Sequence, residues 1–224
     1  MSNSYYSIAI DGPSASGKST IAKMVSKILN IEYIDTGAMY RAITYKVLKN
    51  NIDPLDEKAV IDLLKETEID FINNSIYLDG VNVDKEIRDN IVSKNVSYIA
   101  MIKEVREKLV HLQQAMAKKK SVIMDGRDIG TVVLPHADYK FFLTASVEER
   151  AKRRFKELIN RGEDVKFEDI VEELKTRDEI DSNREVGPLV RSKDAYLLDT
   201  SNKSIEDCVD FIVSIVNGGN EGVL

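Results

Sequence analysis

The chain predicts an α/β protein of three layers, with a five-stranded parallel sheet covered by helices on both faces. Three observations carry that expectation. Short apolar runs alternate with stretches of helical periodicity over most of the 224 residues, which is the pattern of strands joined by crossover helices. The first strand and helix are joined by Gly12-Pro13-Ser14-Ala15-Ser16-Gly17-Lys18-Ser19, which fits G-x-x-x-x-G-K-[ST] at every position and marks a P-loop NTPase. From about Asp53 to Asn95 the rhythm breaks into short alternating runs joined by turn dipeptides, the mark of a small antiparallel β insert.

The first strand is read over Ser7 to Ile10, an apolar run short enough to be buried on both faces. A helix from Lys18 to Leu29 follows, because Ile21, Ala22, Val25, Ile28 and Leu29 recur at its spacing. The Gly-rich turn thus opens onto a helix N-terminus, where unpaired N–H groups and the positive end of the dipole face phosphate oxygens. Gly12, Pro13, Ser14, Ala15, Ser16, Gly17, Lys18, Ser19 and Thr20 are the candidate nucleotide-binding residues. Lys18 reaches for the outer phosphates, and Ser19 offers its hydroxyl to Mg2+.

A second strand, Glu32 to Ile34, leads into a helix from Ala38 to Asn50 through Asp35-Thr36-Gly37-Ala38-Met39-Tyr40-Arg41. Asp35 or Thr36 can cap that helix. Arg41, in its expected first turn, either points at an acceptor phosphate or decorates the helix face. In the insert the strand-like runs are residues 68–72, 75–78 and 81–83, with Asn73-Asn74 and Asp79-Gly80 as the tight-turn dipeptides. An insert that buries little on its own is expected to move or to cover something, or else it is a tolerated surface excursion.

A helix from Ile102 to Lys118 precedes a third core strand, Val122 to Met124, which ends in Asp125-Gly126-Arg127-Asp128. An apolar strand ending in Asp is where P-loop proteins place the carboxylate that helps hold Mg2+, directly or through water, so Asp125 and Ser19 form the candidate metal site. Arg127 and Asp128 follow at the carboxyl end of the strand, where open α/β sheets bind ligands; a local ion pair is the plain alternative. The remaining strands are Lys140 to Leu143 and Tyr196 to Leu198, and the remaining helices Val147 to Ile159, Phe167 to Ser182 and Ile205 to Val216. Arg150, Arg153 and Arg154 share nearly one helix face, while Arg177, Asp181 and Arg184 recur at i, i+4, i+7. The first group reads either as phosphate-facing or as part of a solvated helix with Glu148 and Glu149. The second can clamp a phosphate and reach a sugar hydroxyl.

Composition narrows the partners. The formal net charge of -6 argues against a general nucleic-acid binder, which needs an excess of basic surface. No stretch approaches the roughly 18 apolar residues of a membrane span, and there is no basic-plus-apolar leader. One cysteine, Cys208, excludes an internal disulfide, so a cytoplasmic protein is expected, and a monomer, since no long apolar helix face is left over. A GTPase would carry D-x-x-G and N-K-x-D, and neither occurs. Neither His111 nor His136 lies in a motif, and a phosphate acceptor, already anionic, requires no general base.

The P-loop together with Ile8 to Pro13, Asp35 to Arg41, Glu86-Ile87-Arg88, Asp125 to Asp128 and Arg177 to Arg184 resembles the bacterial cytidylate kinases over nearly the whole chain. The resemblance implies a single domain over 1–224, divided into a core (1–52, 96–145 and 190–224), a nucleoside monophosphate-binding insert (53–95) and a helical lid region (146–189). It also implies transfer of a phosphoryl group from Mg-ATP to CMP or dCMP. By the same resemblance Lys18, Asp125, Arg127, Arg150 and Arg154 serve catalysis, Thr36, Arg41, Arg127 and Arg184 surround the CMP phosphate, and Tyr40 is a further substrate-binding residue. Ser97, Arg106 and Asp128 would contact cytosine, and Arg177 with Asp181 the ribose. Some family members carry serine at position 36, and threonine keeps the hydroxyl. The adenine is expected near Arg154 and Asp199-Thr200-Ser201. Kinases acting on UMP, AMP or shikimate share the architecture, and a nucleotide-binding module without turnover is the alternative from another class.

Overall fold

In a computed structural model, residues 5–72 and 75–218 are described. In chain order the elements are β1 (Ser7–Asp11), α1 (Lys18–Leu29), β2 (Glu32–Asp35), α2 (Thr36–Lys49), α3 (Glu57–Lys65), β3 (Ile69–Ile72), β4 (Ser75–Leu78) and β5 (Val81–Asn82). A 3-10 turn, Glu86–Arg88, leads into α4 (Asn90–Met101), α5 (Lys103–Ala117) and β6 (Val122–Gly126). A π-helical turn, Ile129–Val133, precedes β7 (Tyr139–Thr144), α6 (Val147–Asn160), α7 (Phe167–Asn183), β8 (Tyr196–Asp199) and α8 (Ile205–Val216).

Five strands form one parallel sheet in the order β2-β6-β1-β7-β8. Successive side chains alternate between its faces, and so does the core. Ala9, Ile34, Val122 and Met124 pack with α2, α4 and α5, whereas Ile8, Ile10, Ile123, Phe141, Leu143 and Leu198 pack with α1 and α8. Truncating a fully buried member such as Ile123 to alanine costs about 2–5 kcal/mol.

The register decides where chemistry can happen. Asp125 on β6 stands beside Ile10 on β1 and beside Asp35 on β2, so both carboxylates reach the same edge as the loop that leaves β1. That loop departs through Gly12, whose φ of 149° and approach to β7 leave no room for a side chain: a Cβ there would lie 2.0 Å from the Leu143 carbonyl oxygen.

Ile69–Ile72, Ser75–Leu78 and Val81–Asn82 form the expected three-stranded antiparallel sheet, in the order β3-β4-β5. Asp79 and Gly80 both have positive φ at the β4–β5 turn, as their dipeptide predicts, while Asn73-Asn74 lies outside the described residues. Val60, Leu64, Ile76, Leu78 and Val83 belong to the same apolar cluster as α2 and α5, so the insert is seated on the core rather than held off it. Two helices here escape the sequence reading, α3 and α4. The expected boundary at 95/96 falls inside α4, whose buried stripe of Val92, Val96, Ile99 and Ala100 runs across it. A third small cluster, Ala151, Leu158, Ile170 and Leu174, joins α6 to α7.

Candidate functional site

The loop, the C-terminal ends of β2 and β6, and the helices α4, α5, α6 and α7 surround a cleft of about 410 Å³. At its loop end, Gly17 caps α1 with φ 91°, and Lys18 is 5% exposed. The Lys18 ammonium donates to the Pro13 carbonyl at 2.6 Å and lies 3.4 Å from Ser16 Oγ. Burial, helped by the nearby Arg127 charge, pulls its pKa well below the usual lysine range, so an anion brought here strengthens the charged form.

Asp125 is held by hydroxyls on three sides. Ser19 Oγ donates to its Oδ2 at 2.7 Å, the Tyr33 hydroxyl to its Oδ1 at 2.8 Å, and Thr36 Oγ1 to its carbonyl at 2.7 Å. Burial and the neighbouring Asp35 charge raise its pKa, and burial with the same two carboxylates raises that of Tyr33, which remains a donor. Asp35 caps α2 through the Ala38 N–H and pairs with Arg41 at 2.9 Å. Because α2 begins at Thr36 rather than Ala38, Arg41 sits in its second turn, still lining the cleft.

At the far end, Asp128 lies between two guanidiniums. Its carboxylate pairs with Arg106, which is 1% exposed, and with Arg184 at 3.4 Å. Burial outweighs both partners and raises the Asp128 pKa. Asp181 accepts from Arg127 Nε at 2.8 Å and from Ser97 Oγ at 3.1 Å; burial opposes its ionisation, but Arg127, Arg177 and Arg184 together hold its carboxyl below the ordinary range. Arg184 follows α7 in extended conformation, so the expected i, i+4, i+7 stripe is helical only as far as Asp181. Burial, then Arg127, lowers the Arg177 pKa to about 10. Buried Nε atoms of Arg106 and Arg177 have no hydrogen-bond partner within the protein, so the cleft holds donors in excess of acceptors, as an anionic ligand requires. The Tyr40 ring lies under Arg106, 5.7 Å from its guanidinium carbon, and burial pushes its phenol up to about 12.

The cleft therefore brings together Lys18, Ser19, Thr36, Tyr40, Arg41, Ser97, Arg106, Asp125, Arg127, Asp128, Arg154, Arg177, Asp181 and Arg184. Arg150 is placed otherwise. Its guanidinium is spent on Asp178, the Ala145 carbonyl and the Ser14 carbonyl, which braces the outside of the loop. Arg177 donates to Ser14 Oγ at 3.1 Å. Arg154 turns toward Asn90 and Glu157, whereas the 199–201 loop is held by Arg153, which donates to Thr200 Oγ1 at 3.0 Å. On α6 it is thus Arg153, the neighbour of Arg154, that meets this loop.

Sequence reasoning missed two residues at this site. Tyr33 is one; it looks like an ordinary strand aromatic unless Asp35, two positions on, is used to fix its face. Asp11 is the other. Its carboxylate, 4% exposed, accepts from the N–H groups of Ile129 and Gly130 at 2.7 Å each and so ties the end of β1 to the turn after Asp128.

Similarity to known proteins agrees with this arrangement. A family model described as cytidylate kinase matches residues 8–218. The chain belongs to the cytidylate kinase family. It is 56% identical over 210 residues to a cytidylate kinase of Clostridioides difficile (strain 630), covering 94% of this chain and 97% of the relative. It is 52% identical over 214 residues to a cytidylate kinase of Alkaliphilus oremlandii (strain OhILAs), covering 96% and 99%. Among solved structures, a gluconokinase from Sinorhizobium meliloti 1021 superimposes with a TM-score of 0.51 at 12% identity, covering 95% of this chain and 92% of that one, a likeness of fold alone.

Proposed function

We propose that the cleft transfers the γ-phosphoryl group of Mg-ATP to the phosphate of CMP or dCMP, giving ADP and CDP or dCDP. One observation carries this reading: a phosphate-binding loop and an arginine-flanked carboxylate, Asp128, line the two ends of a single cleft whose middle is ringed by arginines. Membership of the cytidylate kinase family supports ATP as donor and CMP as acceptor.

In this account the loop N–H groups and Lys18 bind the donor phosphates. Arg41, Arg127 and Arg184, with Thr36 and Tyr40, receive the acceptor phosphate. Arg127, close enough to Lys18 for its charge to be felt there, stabilises with it the charge on the group in transfer. Arg154 reaches the cleft from α6, and Arg150 acts through the loop it braces. Cytosine offers an exocyclic amino donor to Asp128 and O2/N3 acceptors to Arg106. Uracil reverses that pattern and leaves buried groups unpaired. Asp181 already accepts from Arg127 and Ser97, so loss of the sugar 2′-hydroxyl strands no charge, which supports use of dCMP as well as CMP.

Mg2+ fits the donor set. Ser19 Oγ and the Asp125 carboxylate are hard oxygen donors within 2.7 Å of each other. No cluster of three His, Cys, Asp or Glu that could hold a metal occurs among the described residues, which suits an ion held chiefly by phosphates and water. Bound there, it would neutralise charge on the donor phosphates.

Lid and insert already touch. Arg161 donates to the Arg88 carbonyl at 3.1 Å and Arg154 to Asn90 at 3.2 Å, so α6 and the insert can shut the cleft against water. We read the protein as a monomer of the cytoplasm, a reducing compartment that its buried free Cys208 suits. The test is phosphorus NMR of the protein with Mg-ATP and CMP. CDP and ADP should appear in equal amounts; release of inorganic phosphate without CDP would refute phosphoryl transfer to CMP.

A further inference from the structure

β2 carries onto the Asp125 carboxylate a residue that belongs to neither the loop nor the β6 motif. Asp35 is the register partner of Asp125. Tyr33, two positions earlier, therefore faces the same side of the sheet, one diagonal step from that carboxylate. The ring is 4% exposed, packed in the apolar cluster with Ile21 and Ile123, and Lys23 Nζ lies 5.4 Å from its centroid. Its hydroxyl donates to Asp125 Oδ1 at 2.8 Å, while the exposed Ser19 donates to Oδ2 at 2.7 Å. The two carboxylate oxygens thus have separate duties: Oδ1 is tied back to the sheet, and Oδ2 faces the loop.

We propose that Tyr33 is a positioning residue for the divalent cation, its hydroxyl fixing the plane of the Asp125 carboxylate so that Oδ2 is aimed at the ion or at a water on it. This rests on the magnesium reading above. The physical need is plain. The terminal torsion of an aspartate is broad and roughly two-fold, so a carboxylate tethered through one oxygen only swings. Mg2+ demands near-octahedral geometry and tolerates little swing. Ser19 cannot supply the restraint alone, because its hydroxyl, which can donate to Oδ2 while turning a lone pair toward the ion, tethers only that one oxygen. The rigid, buried phenol can, and hydrogen-bond partners of this kind are worth about 10- to 100-fold in metal affinity.

The test is Tyr33→Phe, which keeps the ring and removes only the hydroxyl. Calorimetric titration with ADP is carried out in EDTA and in saturating Mg2+, at a temperature where circular dichroism shows both proteins folded. The affinity for ADP in EDTA should match between the two proteins. The gain in affinity that Mg2+ confers should fall by about ten-fold or more in the variant. The free Mg2+ concentration that half-saturates turnover should rise in parallel, and KM for CMP should hold. Equal Mg2+ gains in the two proteins, or a loss of ADP affinity in EDTA as large as the loss in Mg2+, overturn the role of Tyr33 and leave the magnesium reading standing. No Mg2+ gain in the unsubstituted protein overturns both.

Discussion

Asp128→Asn is the sharpest probe of how the cleft reads a base. The substitution is nearly isosteric, yet it removes the single carboxylate shared by Arg106 and Arg184, which are 1% and 7% exposed. Two effects follow. Stability falls, because breaking a buried ion pair from one side leaves an uncompensated charge, at a cost of about 3–5 kcal/mol. Selectivity falls too, because a charge-assisted hydrogen bond to the cytosine amino group becomes a neutral one that the amide can also present reversed. Losing about 1.5–3 kcal/mol from the transition state lowers kcat/KM for CMP by roughly 10- to 150-fold. The same amide NH2 can donate to the uracil carbonyl, so UMP should lose little or gain. In a coupled ADP-release assay the CMP-to-UMP preference should therefore shrink by one to two orders of magnitude, while KM for ATP holds. An unchanged preference, or a rise in KM for ATP as large as the loss on CMP, would refute the assignment of Asp128 to the base.

Further consequences can be checked with single substitutions. Lys18→Ala should lower kcat by about 10²- to 10³-fold, the usual cost of removing a preorganised donor to developing charge; thermal melting should stay close to the parent, and substantial residual turnover would rule out its role. Asp11 has its pKa raised to about 6 from 3.8, chiefly by burial. A carboxyl with a raised folded-state pKa favours the fold most below pH 3.8 and loses that advantage as pH rises through 6, a change of about 3 kcal/mol. Asp11→Asn should flatten this slope in urea melts taken across that window, and an identical slope in both proteins would contradict the burial account. Arg161→Ala removes the lid's contact with the Arg88 carbonyl and should raise futile ATP hydrolysis relative to transfer; an unchanged ratio would show that the contact does not exclude water.

Much of this was legible in the chain because several signals agreed with one another. The β1 to α1 segment needed only an apolar run, a Gly-rich turn and a helical stripe, and α1 and α8 have the expected bounds. α3 and the first turn of α4 were not legible. The former was hidden in a stretch read for its hairpins, and the latter opens on Asn90 and an exposed Ile91, with Val92 alone buried in its first turn, so that its helix is fixed by packing on α2 and α7. The cleft residues divide the same way. Lys18, Ser19 and Asp125 follow from local motif and strand position, and Asp181 from its spacing with Arg177 and Arg184, while Ser97 and Arg106, which converge on it from two other helices, were reachable only through resemblance. Side-chain direction explains the remaining differences: spacing put Arg150, Arg153 and Arg154 on one face, but one braces the loop, one grips Thr200 and one turns to Asn90. Tyr33 shows the converse, since its role lies in a β2–β6 register that no local pattern reports.

The account's central claim is that the two ends of the cleft hold ATP and a cytosine nucleotide at once. Initial rates with Mg-ATP and, in turn, CMP, dCMP, UMP and AMP test it most directly. The account expects CMP and dCMP to be phosphorylated with comparable kcat/KM, and UMP and AMP at least ten-fold less well. Equal use of UMP or AMP, or no transfer to any of the four, would contradict it.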